Sequence, residues 1–344
     1  AGEGEEEEAG DVAAERVRVQ GLLDQPPVLQ DAVMTSGLRK VYEGAGGKEA
    51  VKPLTLGVHR AECFGMLGPN GAGKTTTINM LVGFTEPSAG NATVEGLTIR
   101  NHMHLIYSIM GVCPQHDLLW LVLTARQHLY FYGRLKNLRG AELKAAAEAA
   151  LRSVNLMDVI DTPAGTYSGG MKRRLSVAIS LIGMPLVCYL DEPSTGLDPA
   201  SRRLLWACVR EAKKTRAVLL TTHSMEEAEG LCDRLGIFVS GRLRCVGAPN
   251  DLTLRFGGLF VLTFLTTSAH EPALSALVLA LCPSAAKTYA LAGTNKYELP
   301  AGEVRLSAIF GMMTGEKERG RVLSWGISSA TLEDAFIKIA NPRA

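Results

Sequence analysis

The chain has 344 residues, of which 47% are hydrophobic, 21% charged and 6% aromatic. These values are typical of a globular protein of about two domains, and they exclude a mainly disordered chain, a collagen-like chain and a small disulfide scaffold. The net charge of +1 conceals an asymmetry, because residues 1–15 hold seven of the 35 acids and no Lys or Arg. The rest of the chain contains 28 acids and 36 bases. This excess of positive charge suits an anionic ligand or membrane surface, but it is also ordinary for a chain of this size.

The seven cysteines are scattered, and no two of them form a Cys-x-x-Cys pair. This usage predicts a reducing compartment with neither a disulfide framework nor a zinc site. A membrane span needs about 20 mostly apolar residues. The best candidate, residues 175–190, is interrupted by Ser176, Ser180, Gly183 and Pro185, so the sequence predicts no transmembrane helix.

Residues 1–31 begin with a run of Glu and end with two adjacent prolines, and we expect them to be a disordered linker. In residues 32–256, short apolar runs alternate with helical stretches. The continuous apolar runs 63–67, 186–190 and 217–221 predict strands of a parallel sheet that is covered on both faces.

Three further elements complete this first domain. A helical insertion is predicted over about residues 117–180, since its Ala-rich stretches have helical periodicity and little strand character. Residues 236–239 and 242–246 predict a hairpin around a Ser-Gly turn. Asn250 is expected to cap a short helix that ends at Gly257.

Residues 257–344 have a different pattern, which predicts a second, small α+β domain of the ferredoxin-like type. The predicted order is β-α-β-β-α-β with a final helix, over residues 259–266, 271–281, 287–292, 296–299, 304–314, 322–327 and 332–339.

A glycine-rich segment after the first predicted strand matches G-x-x-x-x-G-K-[ST] and is followed by a helical stretch. Its residues, with one more Thr, are Gly68, Pro69, Asn70, Gly71, Ala72, Gly73, Lys74, Thr75 and Thr76. Glycines let successive backbone N–H groups curl around phosphate oxygens, and the helix presents its positive end to the anion. Lys74 adds a point charge for the outer phosphates, and the Thr75 hydroxyl is a hard oxygen ligand for Mg²⁺. The sequence therefore predicts a site for a nucleoside triphosphate and Mg²⁺.

Two consecutive acids, Asp191 and Glu192, follow the predicted strand 186–190. Asp191 is expected to help hold Mg²⁺, as the second acid of P-loop nucleoside triphosphatases does. Glu192 points elsewhere, and we expect it to act as the general base for the attacking water. A solvated strand end can carry the same two acids, but their place downstream of the phosphate loop favours the functional interpretation.

Two other polar residues follow apolar runs. His223 comes after the strand 217–221 and is expected to contact the γ-phosphate or the attacking water, although a surface His at a turn would have the same sequence context. Gln115 follows a shorter run, and its amide oxygen suits Mg²⁺ or water. Spacing alone does not select Gln115.

Residues 167–174, Tyr-Ser-Gly-Gly-Met-Lys-Arg-Arg, resemble the signature sequence of ATP-binding cassette proteins. Ser168 lies 93 residues after Thr75 and 23 before Asp191. The segment Ser-Thr-Gly-Leu-Asp at 194–198 is similar to the D-loop of that family. The resemblance implies that Tyr42 stacks on adenine, that Gln115 belongs to the Q-loop and that His223 is the switch histidine. It also implies that the nucleotide is contacted by Ser168, Gly169, Gly170 and Asp198.

The detail is similar to the A subfamily, and closest to its plant-type half-size members. The commonest signature is Leu-Ser-Gly-Gly-Gln, whereas Tyr167 and Met171 stand here. The tail 259–340 resembles the small regulatory domain of that subfamily. The implied fold is an ATP-binding cassette of the P-loop nucleoside triphosphatase class. It has a parallel core sheet, an antiparallel part and a helical insertion, and the small α+β domain follows it.

The resemblance implies an ATPase, with ATP and Mg²⁺ as cofactors and no other metal. Its expected partners are transmembrane domains of the same transporter and a second cassette, paired head to tail so that Ser168 and Gly170 of one copy face Lys74 of the other. Such a cassette works at the cytosolic face of a membrane, and the subfamily implies lipid or other amphipathic cargo.

Two alternatives stay open from the sequence. The first is a cassette ATPase that acts on nucleic acid or in translation, which the spacing between the phosphate loop and the signature disfavours, since it leaves no room for a long arm. We expect no nucleic-acid partner. The second is a cassette that binds ATP but scarcely hydrolyses it, which the presence of Lys74, Asp191, Glu192 and His223 disfavours.

Overall fold

The computed structural model describes residues 10–43, 47–291, 293–300, 302–329 and 331–340. The chain divides into two compact units, Ala1–Pro249 and Asn250–Ala344. The sequence placed this division later, after residue 256. It lies earlier because the last strand of the first unit ends at Gly247 and a new helix begins at Pro249.

Two sheets form the framework of the first unit. Its strands are β1 (Val33–Tyr42), β2 (Lys48–Val58), β3 (Cys63–Leu67), β4 (Ala89–Val94), β5 (Leu97–Thr98), β6 (Met110–Cys113), β7 (Val187–Asp191), β8 (Ala217–Thr222), β9 (Arg234–Val239) and β10 (Arg242–Gly247). One sheet has the order β2-β1-β4-β5 and is antiparallel. The other has the order β10-β9-β3-β8-β7-β6, and all of its pairs except the β9–β10 hairpin are parallel.

The central strands β3, β7 and β8 are buried at every residue, which is why their sequences are continuous apolar runs. Their parallel register pairs Leu67 with Thr222 and Asp191 with Thr221. The carboxyl ends of these strands therefore meet at one edge of the sheet, where ligands bind in open α/β folds.

Helices of the first unit follow or precede these strands. They are α1 (Gly10–Leu23), α2 (Lys74–Leu81), α3 (Met103–Ile109), α4 (Ala125–Leu135), α5 (Gly140–Ser153), α6 (Gly169–Leu181), α7 (Pro199–Lys213) and α8 (Met225–Leu231). The insertion between β6 and β7 holds α4, α5 and α6. Thr124 begins α4 with a capping box, and the Ser168 hydroxyl caps α6 by accepting from the Met171 N–H.

The structure corrects the expected disorder of residues 1–31. Residues 1–9 lie outside the described residues, but α1 is a helix that packs against β2 and β10. Val12, Glu15 and Val19, spaced by three and four residues, form its buried face. The acidic run and the prolines dominate the composition of this segment, and they hide the helical period between them.

The boundary between the units falls within the short helix α9 (Pro249–Leu252), so Asn250 lies inside a helix and the prediction of an Asn250 cap is wrong. A π-helical turn, Thr253–Gly257, follows. The other elements are β11 (Leu259–Thr266), α10 (Glu271–Leu281), β12 (Ala286–Leu291), β13 (Thr294–Pro300), α11 (Leu306–Glu318), β14 (Val322–Ser329) and α12 (Leu332–Ala340). The sheet is antiparallel with the order β12-β13-β11-β14, so the predicted ferredoxin-like arrangement of this unit is observed.

Each unit has a core of its own. Phe64, Tyr189 and Phe238 are among the largest buried side chains of the first unit, and Phe264 stacks on Tyr297 in the second. In the described part of the chain, no helix combines the length and apolar character needed to cross a membrane.

Candidate functional site

The glycine-rich loop joins β3 to α2 and depends on glycine at particular positions. Gly71 and Gly73 have φ values of +81° and +95°, in the left-handed region that other residues avoid. A Cβ on Gly73 would lie 2.5 Å from the Ala50 carbonyl oxygen, and one on Gly68 would collide with the Phe238 carbonyl. The loop therefore keeps its shape only with these glycines.

Lys74 is the first residue of α2, and only 5% of its surface is exposed. Its Nζ donates to the carbonyl oxygens of Gly68 (2.6 Å) and Pro69 (3.2 Å), so the ammonium is held inside the curve of the loop. Burial lowers the pKa of Lys74, while the charges of Glu192 and Asp191 act in the opposite direction.

Asp191 ends β7 and is buried, with 4% of its surface exposed. Its Oδ1 accepts from the Thr75 hydroxyl at 3.2 Å and from the hydroxyl of Thr221 on the neighbouring strand. The sheet thereby places the acid directly beside the start of α2.

Glu192 leaves the strand with a left-handed backbone, φ +47°, which turns its side chain away from that of Asp191. Its N–H donates to Thr221 Oγ1 at 2.9 Å. The carboxylate contacts three groups: Gln115 Nε2 lies 3.4 Å and Thr195 Oγ1 3.3 Å from Oε2, and His223 Nδ1 lies 3.5 Å from Oε1. The acid is 8% exposed, whereas the His223 side chain is 54% exposed.

Lys74, Glu192 and Gln115 line a cavity of about 350 Å³, whereas Asp191 and His223 contact lining residues without lining it themselves. Its lining residues are Tyr42, Lys48, Ala50, Asn70, Gly71, Ala72, Gly73, Lys74, Thr75, Thr76, Gln115 and Glu192. The structure thus brings Tyr42, Gln115 and Glu192 together with most of the predicted phosphate loop. The backbone carbonyls of Gly68 and Pro69 contribute through Lys74.

The sequence analysis missed Lys48 and Ala50. They lie on β2, whose antiparallel register places Lys48 opposite Tyr42. Lys40 Nζ lies 5.2 Å from the centre of the Tyr42 ring. A predicted β1–β2 hairpin could have found Lys48, because it would have paired the residues that flank the turn.

Ser168, Gly169, Gly170 and Asp198 do not line this cavity. Ser168 caps α6, and Asp198 caps α7 by accepting from the Ser201 N–H at 3.0 Å. Hydrogen bonds from Ser201 lower the pKa of Asp198. A Cβ on Gly170 would lie 2.9 Å from Ser201 Oγ, so the starts of α6 and α7 are close together.

The donor set at the cavity fits Mg²⁺. The Thr75 hydroxyl, the Asp191 carboxylate and the Gln115 amide supply hard oxygen ligands, and Mg²⁺ in phosphate sites typically uses one or two carboxylates together with phosphates and water. Within the ranges described above, no group of three or more His, Cys, Asp or Glu side chains is arranged to hold a metal by itself.

Comparison with known proteins agrees with this site. The family model described as ABC transporter matches residues 51–195, and the model described as ABCA12-like, C-terminal domain matches residues 260–310. ABC transporter A family member 5 of Arabidopsis thaliana is 56% identical over 335 residues, which are 96% of this chain and 36% of that protein. Member 3 of the same organism is 58% identical over 314 residues, 90% of this chain and 34% of that protein.

Solved structures agree in fold. One described as an ATP binding subunit of an ABC transporter has a TM-score of 0.60 at 28% identity, and the match covers 66% of this chain and 93% of that one. A dimeric ATP-binding cassette in a post-hydrolysis state, bound to ADP and Pi, has a TM-score of 0.59 at 21% identity. The match covers 63% of this chain and 98% of that one. The second likeness concerns the fold alone.

The chain spans about a third of the length of the curated relatives it matches. The match to the ABC transporter model includes the phosphate loop and the paired acids. The match to the C-terminal domain model lies within the second unit. The chain belongs to the A family of ABC transporters, of which it spans the ATP-binding cassette and the domain that follows it.

Proposed function

We propose that this chain binds MgATP and hydrolyses it, and that the hydrolysis drives a transporter. The observation that carries the proposal is that Lys74, Thr75 and Glu192 line one cavity and that Asp191 accepts a hydrogen bond from Thr75 beside it, although more than 100 residues separate Lys74 and Thr75 from the two acids. A metal-binding hydroxyl, a metal-binding acid, a cation and a candidate base are the groups that phosphoryl transfer to water needs.

Binding is assigned to the loop and the hairpin. The ammonium of Lys74 has three donors and uses two on backbone carbonyls, so it can address the outer phosphates without leaving its place. Tyr42 lines the same cavity and presents an aromatic surface, 41% exposed, for the adenine. Thr75, Asp191 and Gln115 would hold Mg²⁺, which neutralises charge on the phosphate oxygens when it is bound.

Glu192 is the proposed general base, since it is the acid that lines the cavity and it has contacts that hold it there. Gln115 and Thr195 donate to one carboxylate oxygen, and His223 lies beside the other. The carboxylate would take the proton of the attacking water. His223, half exposed, would contact the departing phosphate.

A second copy completes the site in this proposal. The signature residues Ser168 and Gly169 are exposed and do not line the cavity of their own chain, which suits a role toward nucleotide held by another cassette. A helix that begins with Ser-Gly-Gly offers free N–H groups to an anion. Two copies related by a twofold axis would share two equivalent sites.

Transport and cargo are proposed from family membership. The A-family relatives are described as transporters, and this chain spans about a third of their length. The membrane-spanning domains would lie outside this chain, and the cassette would work on the cytosolic face. The A subfamily favours lipid or another amphipathic molecule as cargo.

The first test compares ATP turnover of the purified chain with that of Glu192→Gln and of Glu226→Gln. The Glu226 side chain is 71% exposed and serves as the matched control. We expect Glu192→Gln to bind ATP and lose at least about 99% of turnover, the scale of a general-base contribution, while Glu226→Gln behaves as wild type. Equal turnover in wild type and Glu192→Gln would refute Glu192 as the base.

The second test concerns pairing. A Cβ added to Gly169 meets nothing within 4 Å, so Gly169→Asp leaves its own fold intact but puts a carboxylate at the proposed contact with a second copy. Light scattering of Glu192→Gln with MgATP should show the mass of two chains, and Glu192→Gln/Gly169→Asp the mass of one, with ATP binding retained. A monomeric Glu192→Gln under saturating ATP contradicts the pairing.

The third test concerns transport. The full-length protein would be reconstituted into phospholipid vesicles with a fluorescent phospholipid. ATP-dependent movement of the probe in wild type, and none in Glu192→Gln, is expected. Equal movement in both would contradict coupling to lipid transport.

A further inference from the structure

Arg173 lies on α6, five residues after Ser168, and is 4% exposed. Its guanidinium lies within hydrogen-bond distance of six oxygen atoms, which belong to two segments of the chain that are far apart in sequence, and Nη1 shares its two hydrogens among three of them. Neither segment belongs to α6. A buried Arg with all three guanidinium nitrogens hydrogen-bonded is uncommon, because Arg is rarely buried unless it is paired.

The first segment contains Gln115. Arg173 Nη1 donates to the carbonyl oxygens of Pro114 (2.6 Å) and Gln115 (3.3 Å) and to Asp117 Oδ1 (3.2 Å). The same Asp117 oxygen accepts from Ser176, one turn further along α6, at 2.8 Å. These bonds fix the backbone on both sides of the Gln115 side chain.

The second segment contains Glu192. Arg173 Nη2 donates to the carbonyl oxygens of Asp191 (2.6 Å) and Glu192 (2.9 Å), and Nε donates to that of Pro193 (2.9 Å). Glu192 has the left-handed backbone that carries its carboxylate into the cavity. Because such a conformation is disfavoured for residues other than Gly, neighbouring contacts must hold it.

One guanidinium thus holds the two loops whose side chains meet where Gln115 Nε2 lies 3.4 Å from Glu192 Oε2. A guanidinium suits this task, since it is planar and presents five donors in a fixed arrangement. A buried charge with a single carboxylate partner contributes little net stability.

We propose that Arg173 is a positioning residue for hydrolysis, which sets Gln115 and Glu192 relative to each other from the signature helix. It touches neither cavity nor nucleotide site, so it acts through the two backbone segments that it binds. This inference rests on the proposed ATP hydrolysis and adds a residue to it. It also gives α6 a direct mechanical link to the base.

Arg174 provides the matched control. It is the next residue on the same helix, and its Nη1 donates to the carbonyl oxygens of Val154 (2.8 Å) and Asn155 (3.0 Å) at the end of α5. It therefore makes the same kind of bond, from the same helix, to a segment that carries no residue of the cavity.

The experiment measures ATP turnover and ATP affinity for wild type, Arg173→Gln, Arg173→Lys and Arg174→Gln. For Arg173→Gln we expect kcat to fall at least about tenfold, because a reacting group displaced by 1 Å loses about 100-fold in rate. The Kd for ATP should stay within about twofold, since Lys74 and Tyr42 are untouched. Arg173→Lys keeps the charge but lacks the planar arrangement of five donors, so it should recover part of kcat. Arg174→Gln should match wild type.

Hydrogen exchange of the peptides that contain residues 113–117 and 190–195 gives a readout without turnover. Both should exchange faster in Arg173→Gln than in wild type and in Arg174→Gln, whereas the peptide of the phosphate loop should not change. If Arg173→Gln does not fold, Arg173→Lys is measured in the same two ways.

Three outcomes overturn the inference: wild-type kcat in Arg173→Gln, a loss of ATP affinity that accounts for the loss of rate, or an equal loss in Arg174→Gln. Failure of the proposed function has a different signature, namely equal turnover in wild type and Glu192→Gln. In that event the exchange measurement still decides whether Arg173 orders both loops, and unchanged exchange would refute it.

Discussion

The amide nitrogen of Gln115 lies 3.4 Å from Oε2 of Glu192, 77 residues further along the chain. The first residue follows β6 and the second follows β7, and these strands are neighbours in the parallel sheet. A residue that suits a metal and a residue that suits a base therefore share one face of the cavity. Any motion of the loop after β6 would change the surroundings of the acid.

Replacing Gln115 should test this relationship. We expect Gln115→Ala to lower kcat about tenfold or more, because Glu192 loses one of its donors and Mg²⁺ one of its oxygen ligands. The Mg²⁺ concentration for half-maximal turnover should rise as well. Gln20→Ala, on the exposed side of α1, is the control and should match wild type. An unchanged Mg²⁺ dependence in Gln115→Ala would contradict the ligand role.

Lys74→Ala should weaken the binding of ATP itself. If the buried ammonium binds the outer phosphates as proposed, ATP affinity should fall by more than AMP affinity, and a loss of about 100-fold corresponds to a charge-assisted contact of about 3 kcal/mol. Titration calorimetry with both nucleotides measures the difference. Lys172→Ala, on α6, is the control. Undiminished ATP affinity in Lys74→Ala would refute the assigned role.

Tyr42 should contribute through its ring. Stacking of a base on an aromatic side chain is worth about 1–3 kcal/mol, so Tyr42→Ala should raise the Kd for ATP about 5- to 100-fold, and Tyr42→Trp should keep it near wild type. Tyr107→Ala removes another exposed ring, 48% accessible, and should have no effect. The same Kd in Tyr42→Ala and wild type would remove Tyr42 from the adenine site.

The helix α1 should stabilise the first unit. Val19 is fully buried, and Val19→Ala removes about two methylene equivalents and leaves a cavity, at a cost of about 2 kcal/mol in the free energy of unfolding. Val17 on the same helix is 67% exposed, so Val17→Ala should cost much less. Urea unfolding followed by circular dichroism compares them. Equal stability of Val19→Ala and Val17→Ala would show that α1 is not docked in solution.

The stability of the first unit should also depend on pH through His59. Its hydrogen bond with Asp31 (2.7 Å) raises the pKa of His59 above the usual 6.5, against the effect of burial, and Glu62 adds to the rise. A raised pKa means that the stabilisation is present below pH 6.5 and is lost as the pH rises through the pKa of the folded state.

The Tm of wild type should therefore fall more between pH 6 and pH 8 than the Tm of His59→Gln. His104, exposed on α3, provides the control His104→Gln, which should keep the wild-type slope. The same pH dependence in wild type and His59→Gln would show that the ion pair with Asp31 does not contribute.

The sequence alone was sufficient to locate the candidate motifs that consist of consecutive residues. The phosphate loop, the pair Asp191–Glu192 and the signature segment are local patterns, and their residue types follow from phosphate, metal and proton chemistry. Continuous apolar runs likewise predicted β3, β7 and β8, since strands buried on both faces typically have such sequences.

Tertiary structure decided what depends on residues far apart in the chain. The antiparallel pairing of β1 and β2 brings Lys48 to the cavity, and the docking of Val12, Glu15 and Val19 orders a helix where composition indicated a linker. Arg173 was only one basic residue of the signature run until the fold surrounded it with the carbonyls of two loops. A local pattern fixes which atoms are available, whereas burial and hydrogen-bond partners are set by segments that meet only when the chain is folded.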